Sequence, residues 1–291
     1  MNEELQVCLA DKLGGRIRSV QSIGGGDLSE AFCVTLADGQ VVFAKTMLGA
    51  DPTLFSAEAA GLEWLRTSTS LTIPEVLAVS SPKDSEPPFL VLEWLEAGTK
   101  SKHYGERLGR GLAELHRASL PEFGLNRDNF LGPLRQENTA LTTWAEFYSE
   151  RRLQLLWKRA QKLGLTTSGF DRGMEALIAN LAAAMGPPEP PSRLHGDLWS
   201  GNVMTTSTGR PALIDPAVYG GHREIDLAML KLFGFAHPEA FSAYEESFPL
   251  AEGADQRIPL YQLYPLLAHL NLFGGGYLAS CENALRQVRW K

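Results

Sequence analysis

The chain has 291 residues, 44% hydrophobic and 21% charged, a composition that excludes a disordered, collagen-like or membrane-embedded protein and is long enough for one large domain or two lobes. Its 34 acidic residues outnumber 27 basic ones, a net charge of −7, so no general basic surface invites nucleic acid or an anionic membrane. A phosphate-bearing ligand would need a local device such as a glycine loop, a single lysine or a cation held by the protein's own acids.

From residue 16 to about 95 the pattern is extended, in short runs broken by turn residues, and from about 102 onward it is helical. Two lobes are expected, joined by a hinge at residues 93–97. Gly24-Gly25-Gly26-Asp27-Leu28-Ser29 interrupts the first extended stretch. Phe32, Val34 and Leu36 then alternate with smaller residues, Asp38-Gly39 supplies left-handed turn positions, and Val41-Val42-Phe43-Ala44 follows, which predicts a hairpin. Residues 54–66 change to helical spacing through Phe55, Ala59, Leu62 and Leu65. Two more strands are expected at Ile73 to Val79 and Phe89 to Leu95, around a proline-rich loop at 82–88. One helix among five strands is not the alternating order of a doubly wound sheet.

Beyond the hinge, residues 104–117, 142–163 and 169–185 carry apolar positions at three- and four-residue intervals and predict amphipathic helices. Gly186-Pro187-Pro188-Glu189-Pro190-Pro191 forbids helix and delivers the chain to a polar motif and the apolar run Pro211-Ala212-Leu213-Ile214. Helices resume near 225, 239, 258 and 277. The expected fold is α+β and bilobal, with an antiparallel sheet and one helix over residues 1–97 and a larger, mainly helical lobe over 98–291.

The glycine loop matches G-x-G-x-x-G only with Ser29 in the last place. A dinucleotide-binding loop should open a helix, whereas a strand pattern follows here. The glycines therefore read either as a flap over phosphates between two antiparallel strands or as a plain glycine-rich turn. Lys45 ends an apolar strand. With Phe55 as origin, Glu58 falls at roughly 300° on the following helix and Leu65 at roughly 280°, so this carboxylate sits inside the apolar face. It needs a buried partner, and Lys45 is the candidate. A lysine held by a helix glutamate and directed at ATP phosphates is the arrangement of eukaryotic-type kinases.

His195-Gly196-Asp197-Leu198-Trp199-Ser200-Gly201-Asn202 carries the most specific pattern. Asp197 and Asn202 have the offset of the kinase catalytic loop, in which the aspartate takes or orients a hydroxyl proton and the asparagine offers a hard oxygen to a cation. Asp215 follows an apolar strand, where a kinase holds its second metal-binding acid. Asp226 lies too close behind it for the activation segment of a protein kinase, which favours a small-molecule hydroxyl as acceptor. Trp199 reads as a half-exposed platform for a sugar-like group, His116 and His269 as satisfied core histidines, and Asp226 as a buttress of the catalytic loop from a helix start. His222-Arg223-Glu224 either braces the metal loop or faces solvent.

These residues give the chain a resemblance to the fructosamine kinase (ketosamine 3-kinase) family, within the aminoglycoside phosphotransferase and protein-kinase-like fold. The resemblance runs over nearly the whole chain, through Leu92-Glu93-Trp94-Leu95, Gln136-Glu137-Asn138 and Leu270-Asn271-Leu272-Phe273-Gly274. Its most family-specific segments are His195 to Asn202 and Asp215-Pro216-Ala217-Val218-Tyr219-Gly220-Gly221-His222-Arg223-Glu224. It implies ATP-dependent phosphorylation of the 3-hydroxyl of a ketosamine, on a free amine or a glycated protein lysine, as repair of glycation. By the same carry-over Asp197 is the base and Asn202 and Asp215 hold Mg2+. Gly24, Gly25, Gly26 and Ser29 cover the ATP phosphates, and Lys45 holds them with Glu58 behind it. The backbone of Glu93, Trp94 and Leu95 meets adenine, and Trp199 and His195 lie on the substrate side. Some members carry a glycine-loop cysteine for redox-controlled dimerisation; this chain has Asp27 there.

An aminoglycoside- or choline-type kinase and a non-catalytic nucleotide-binding pseudokinase are the competing readings. Cys8, Cys33 and Cys281 are too widely spaced for a metal or redox pair and read as reduced thiols. The acidic start lacks an export signal, and the apolar stretch 263–279 is broken by His269, Asn271 and glycines, so a cytoplasmic protein with no membrane or nucleic-acid partner is expected, a monomer or weak dimer.

Overall fold

The computed structural model describes residues 1–24, 29–81, 86–235 and 237–289. The chain opens with helix α1 (Glu3–Leu13), where the Asn2 side chain caps the amide of Leu5 at 2.9 Å and Gly14 closes the helix in a left-handed conformation. Strands β1 (Ile17–Ile23), β2 (Glu30–Leu36) and β3 (Val41–Thr46) follow, then α2 (Leu54–Arg66), β4 (Val76–Val79) and β5 (Phe89–Glu93). They form one antiparallel sheet in the order β1-β2-β3-β5-β4. The β2–β3 turn lies at Asp38-Gly39 as its sequence requires, with Gly39 at φ 94° and the Asp38 carboxylate accepting the Gln40 amide at 2.9 Å. β4 starts three residues later than expected, because Pro74 interrupts the run and Thr72 instead bridges Ala212 of the helical part.

The remainder is helical with short strand pairs. In order come α3 (Tyr104–Arg117), β6 (Asn129–Leu131), β7 (Leu134–Gln136), α4 (Trp144–Phe147), a π-helical turn (Tyr148–Leu153), α5 (Gln154–Lys162), α6 (Ser168–Ala179) and α7 (Leu181–Ala184). Then follow β8 (Ser192–Leu194), β9 (Val203–Thr205), β10 (Pro211–Leu213), β11 (Tyr219–Gly221), α8 (Glu224–Leu232), α9 (Pro238–Ser247), α10 (Ala254–Phe273) and α11 (Leu278–Gln287). The continuous helix expected over 142–163 is broken by the π turn. No helix among the described residues is long and apolar enough to cross a membrane.

Three apolar clusters hold the structure. Leu5 and Leu9 of α1 pack with Val34, Val42 and Val91 on one face of the sheet. A helical cluster forms around Phe147, Tyr148, Met174, Tyr261 and Leu267. The middle cluster joins Phe55, Leu62 and Leu65 of α2 to Leu90 of the sheet and to Leu108, Leu112, Leu198 and Leu213 of the helical part. The sheet and the helical part thus share this middle cluster, and the helix carrying Glu58 lies against the turn that follows Asp215, where a Cβ on Gly61 would stand 3.3 Å from Val218 and 3.6 Å from Pro216.

Candidate active site

Two nested strand pairs bring the chemistry together. β8 pairs with β11, Leu194 opposite Tyr219, and β9 pairs with β10, Val203 opposite Leu213. Residues 195–202 connect β8 to β9, and residues 214–218 connect β10 to β11. Both loops therefore leave the pairs side by side, and Ala217 donates its amide to the His195 carbonyl at 2.9 Å. Gly196 has φ 80°, and a Cβ there would stand 2.0 Å from the Ala217 carbonyl oxygen, so only glycine fits this crossing.

Asp226, in the first turn of α8 and 1% exposed, anchors the first loop. It accepts the amides of His195 at 2.7 Å and Gly196 at 3.0 Å, and its Oδ2 faces His116 Nε2 at 3.3 Å. His116 in turn meets the Tyr244 hydroxyl at 2.9 Å. The expected buttress and the satisfied core histidine are thus parts of one buried chain of hydrogen bonds. His195 differs from its expected place on the substrate side. It is fully buried, its Nε2 donates to the Ile214 carbonyl at 2.9 Å, and its Nδ1 accepts the Asp197 amide at 3.3 Å. Burial lowers its pKa despite the nearby Asp226 carboxylate, so the ring is a neutral brace between the two loops rather than a substrate contact.

Across the cleft, Lys45 near the end of β3 is 6% exposed and its Nζ lies 2.7 Å from Glu58 Oε1. That is the partner the helical phase of α2 requires. The same nitrogen lies 2.6 Å from Asp215 Oδ1, a contact that spacing could not reveal because the two residues stand 170 apart in the chain. Burial opposes the ammonium charge, but the two carboxylates outweigh it and raise the pKa, so Lys45 is held protonated. Glu58→Gln removes half of this clamp. Charged hydrogen bonds contribute about 1.5–3 kcal/mol, so with Lys45 read as the phosphate-holding lysine, KM for ATP is expected to rise by about ten- to a hundredfold in this variant.

Asp197 faces Asn202, whose Nδ2 donates to Asp197 Oδ2 and to its carbonyl, each at 2.9 Å. Burial and then the negative charge of Asp215 push the Asp197 carboxyl up to about 7, against the lowering effect of the Asn202 hydrogen bond. Such a carboxylate is matched to take a proton near neutral pH. Because Asn202 spends its amide nitrogen on Asp197, its side-chain oxygen is left as an acceptor, and this oxygen and the Asp215 carboxylate are hard donors of the kind that would suit Mg2+. Asp215 itself, at φ 53°, is the only non-glycine residue with positive φ among the described residues.

A sequence profile described as fructosamine kinase matches residues 1–290. The chain belongs to the fructosamine kinase family. It is similar to the protein named probable ketoamine kinase of Lactiplantibacillus plantarum, 39% identical over 93% of this chain and 94% of that one. It is also similar to the chloroplastic protein-ribulosamine 3-kinase of Oryza sativa subsp. japonica, 37% identical over 96% of this chain and 81% of that one. A crystal structure of a candidate fructosamine-3-kinase from Thermobifida fusca superposes with a TM-score of 0.88 at 38% identity, covering 98% of each chain. An aminoglycoside phosphotransferase shares the fold alone, with a TM-score of 0.63 at 18% identity.

In this member of the family, Gly24 follows β1 and Ser29 precedes β2, so the glycine loop joins two antiparallel strands as expected; Gly25 and Gly26 lie outside the described residues. The Glu93 amide is committed to the Glu75 carbonyl at 2.8 Å, while Trp94 and Leu95 are the first residues past β5. Trp199 is 36% exposed and meets Phe233 edge-on at 5.9 Å. The segment His222-Arg223-Glu224 is a buried brace: Arg223 makes a two-pronged pair with Glu189 at 2.7 and 2.8 Å, and Glu224 does the same with Arg257 at 2.8 and 2.6 Å. It ties the proline-rich segment to α10 and does not face the cleft.

Proposed function

We propose that this protein transfers the γ-phosphoryl group of ATP to the 3-hydroxyl of a ketosamine, on a free amine or a glycated protein lysine, and so initiates deglycation. The observation that supports the reading is the convergence of Asp197, held by Asn202, with the Lys45–Asp215 pair at one end of two nested strand pairs. In this reading Asp197 takes the proton of the acceptor hydroxyl as its oxygen attacks the γ-phosphorus, the bond from that phosphorus to the bridging oxygen breaks, and ADP leaves. Lys45, steadied by Glu58, holds the α- and β-phosphates. The backbone of Glu93, Trp94 and Leu95 meets the adenine, Glu93 through its carbonyl because its amide is committed to Glu75; Gly24 and Ser29 border the phosphates, and Trp199 supports the sugar. Asn202 and Asp215 would hold Mg2+, which when bound supplies charge neutralisation for the phosphates. Phosphoryl transfer has a loose transition state, so this positioning and charge stabilisation carry most of the catalysis. A cytoplasmic monomer or weak dimer completes the proposal.

Turnover with ATP and Mg2+ should be measured for ribulosyl-, erythrulosyl- and fructosyl-lysine beside an aminoglycoside and choline. Phosphate transfer to a ketosamine, lost in Asp197→Ala, is expected. Transfer only to the aminoglycoside or choline, or ATP binding without transfer to any of them, would overturn the assignment.

A further inference from the structure

The π-helical turn between α4 and α5 directs Arg152 into the interior, where it is 0% exposed. Its guanidinium lies 3.9 Å from the ring centre of Tyr219, 4.7 Å from that of Phe147 and 5.6 Å from that of Tyr264. It donates to the carbonyls of Glu137 at 2.9 Å and Arg151 at 3.0 Å, and to Asn138 Oδ1 at 2.7 Å. No carboxylate pairs with it among the described residues. A buried cation without a counter-ion is expensive to desolvate, so a packing role alone would be served better by an apolar side chain of the same size.

The hydrogen bonds that start at Arg152 end at the active site. Asn138 Nδ2 donates to Asn129 Oδ1 at 2.7 Å, and Asn129 Nδ2 donates to the Val218 carbonyl at 2.7 Å. Gln136 Nε2 donates to Asn129 Oδ1 at 3.1 Å and to the Ala217 carbonyl at 3.3 Å, while its Oε1 accepts from the Tyr264 hydroxyl. All three amides are buried. The oxygens they hold lie two and three residues past Asp215, and the Ala217 carbonyl is the one that abuts Gly196 beside Asp197. A non-glycine residue at positive φ persists only where its surroundings over-determine it. Lys45 holds the Asp215 side chain; the amide network holds the backbone that follows.

We infer that Arg152, Asn129, Gln136 and Asn138 are positioning residues for phosphoryl transfer: the guanidinium orients the amides, and the amides lock the turn at residues 215–218 that aims the Asp215 carboxylate. The inference rests on the reading of Asp215 as a cation-binding group. It assigns a function to the Gln136-Glu137-Asn138 segment, which in the sequence carries only family resemblance, and to the π turn, a feature frequent at functional sites.

The test measures Mn2+-ATP binding by calorimetry, with manganese paramagnetic resonance as a second readout, together with kinetics and the nucleotide-free thermal midpoint. Gln136→Met removes the donor to Ala217 at similar volume, and Arg152→Lys keeps the charge but loses the planar fork. Each is expected to weaken Mn2+-ATP binding and lower kcat by about tenfold or more, with KM for the acceptor changed by no more than about threefold. Leu177→Ala, in the α6 core, serves as a variant that loses thermal stability only. Mn2+-ATP binding and kcat at wild-type level in Gln136→Met and Arg152→Lys, with midpoints lowered as in Leu177→Ala, would overturn the inference and leave the network as packing. Asn138→Ser carries the same expectation should Arg152→Lys prove insoluble. Asp215→Asn separates the two levels: unchanged Mn2+-ATP binding there would remove the cation-binding reading itself, whereas lost binding there with unchanged network variants would remove only the positioning role.

Discussion

Asp197→Ala is expected to lower turnover of a ketosamine by about 10²- to 10⁴-fold, the usual share of a positioned general base. Nucleotide binding should survive, because Asp197 touches neither Lys45 nor the hinge, and the Asn202 amide keeps its bond to the main-chain carbonyl of residue 197 at 2.9 Å. Asp197→Asn preserves the shape of the side chain but cannot accept the proton, so its turnover should fall nearly as far. Steady-state kinetics beside calorimetric ATP binding check both expectations. Near-normal turnover in either variant would take Asp197 out of the role of base.

The second large effect is expected at Asp226, which touches no reacting group in the proposed mechanism. Removing its carboxylate in Asp226→Ala leaves the buried amides of His195 and Gly196 and the His116 Nε2 without their acceptor. At about 1–3 kcal/mol for each of these three buried groups left unsatisfied, the loss is about 3–9 kcal/mol. That is a large fraction of the roughly 5–15 kcal/mol that holds a typical domain folded. A urea titration should show the midpoint falling steeply, with Asp226→Asn between the two because one accepting oxygen remains. The folded fraction should also turn over more slowly, since the loop bearing Asp197 loses its anchor. A midpoint unchanged by Asp226→Ala would mean that the observed hydrogen bonds do not bear on stability.

The site and the stability of the fold are therefore one problem, because the loops that carry the chemistry are held by the same buried groups that close the middle core. His116, Asp226, His195 and Ala217 form a continuous path from α3 to the turn after Asp215. On the other side, Phe55 and Leu62 hold α2 in the orientation that places Glu58 at Lys45. Variants in α2 that loosen this packing should consequently act on ATP placement as well as on stability.

Features controlled by local physics are legible in the amino-acid sequence. The Asp38-Gly39 turn, the helix over 54–66 and the placement of Glu58 on its apolar face follow from left-handed turn propensity and the 3.6-residue period, each decided within a few residues. The helix Glu3–Leu13 is a second helix in residues 1–97, where only one is expected; its end signals, Asn2, the acids Glu3 and Glu4 and the closing Gly14, act locally, but the extended pattern from which the elements were expected begins only at residue 16. The three-residue strands at Asn129–Leu131 and Leu134–Gln136 are not legible, because so short a run carries no measurable alternation. The composition, the kinase-like order of Lys45, Glu58, Asp197, Asn202 and Asp215, and the family they signal were determined by the sequence itself. The tertiary structure alone decided that Asp215 shares Lys45 with Glu58, that His195 is an enclosed brace, that the middle apolar cluster spans both parts of the chain, and that Arg152 reaches the turn after Asp215 through three amides. Periodicity and end signals act over a few residues. Those four outcomes depend on contacts between segments tens to more than a hundred residues apart, whose energies exist only once the strand pairs and helices have packed.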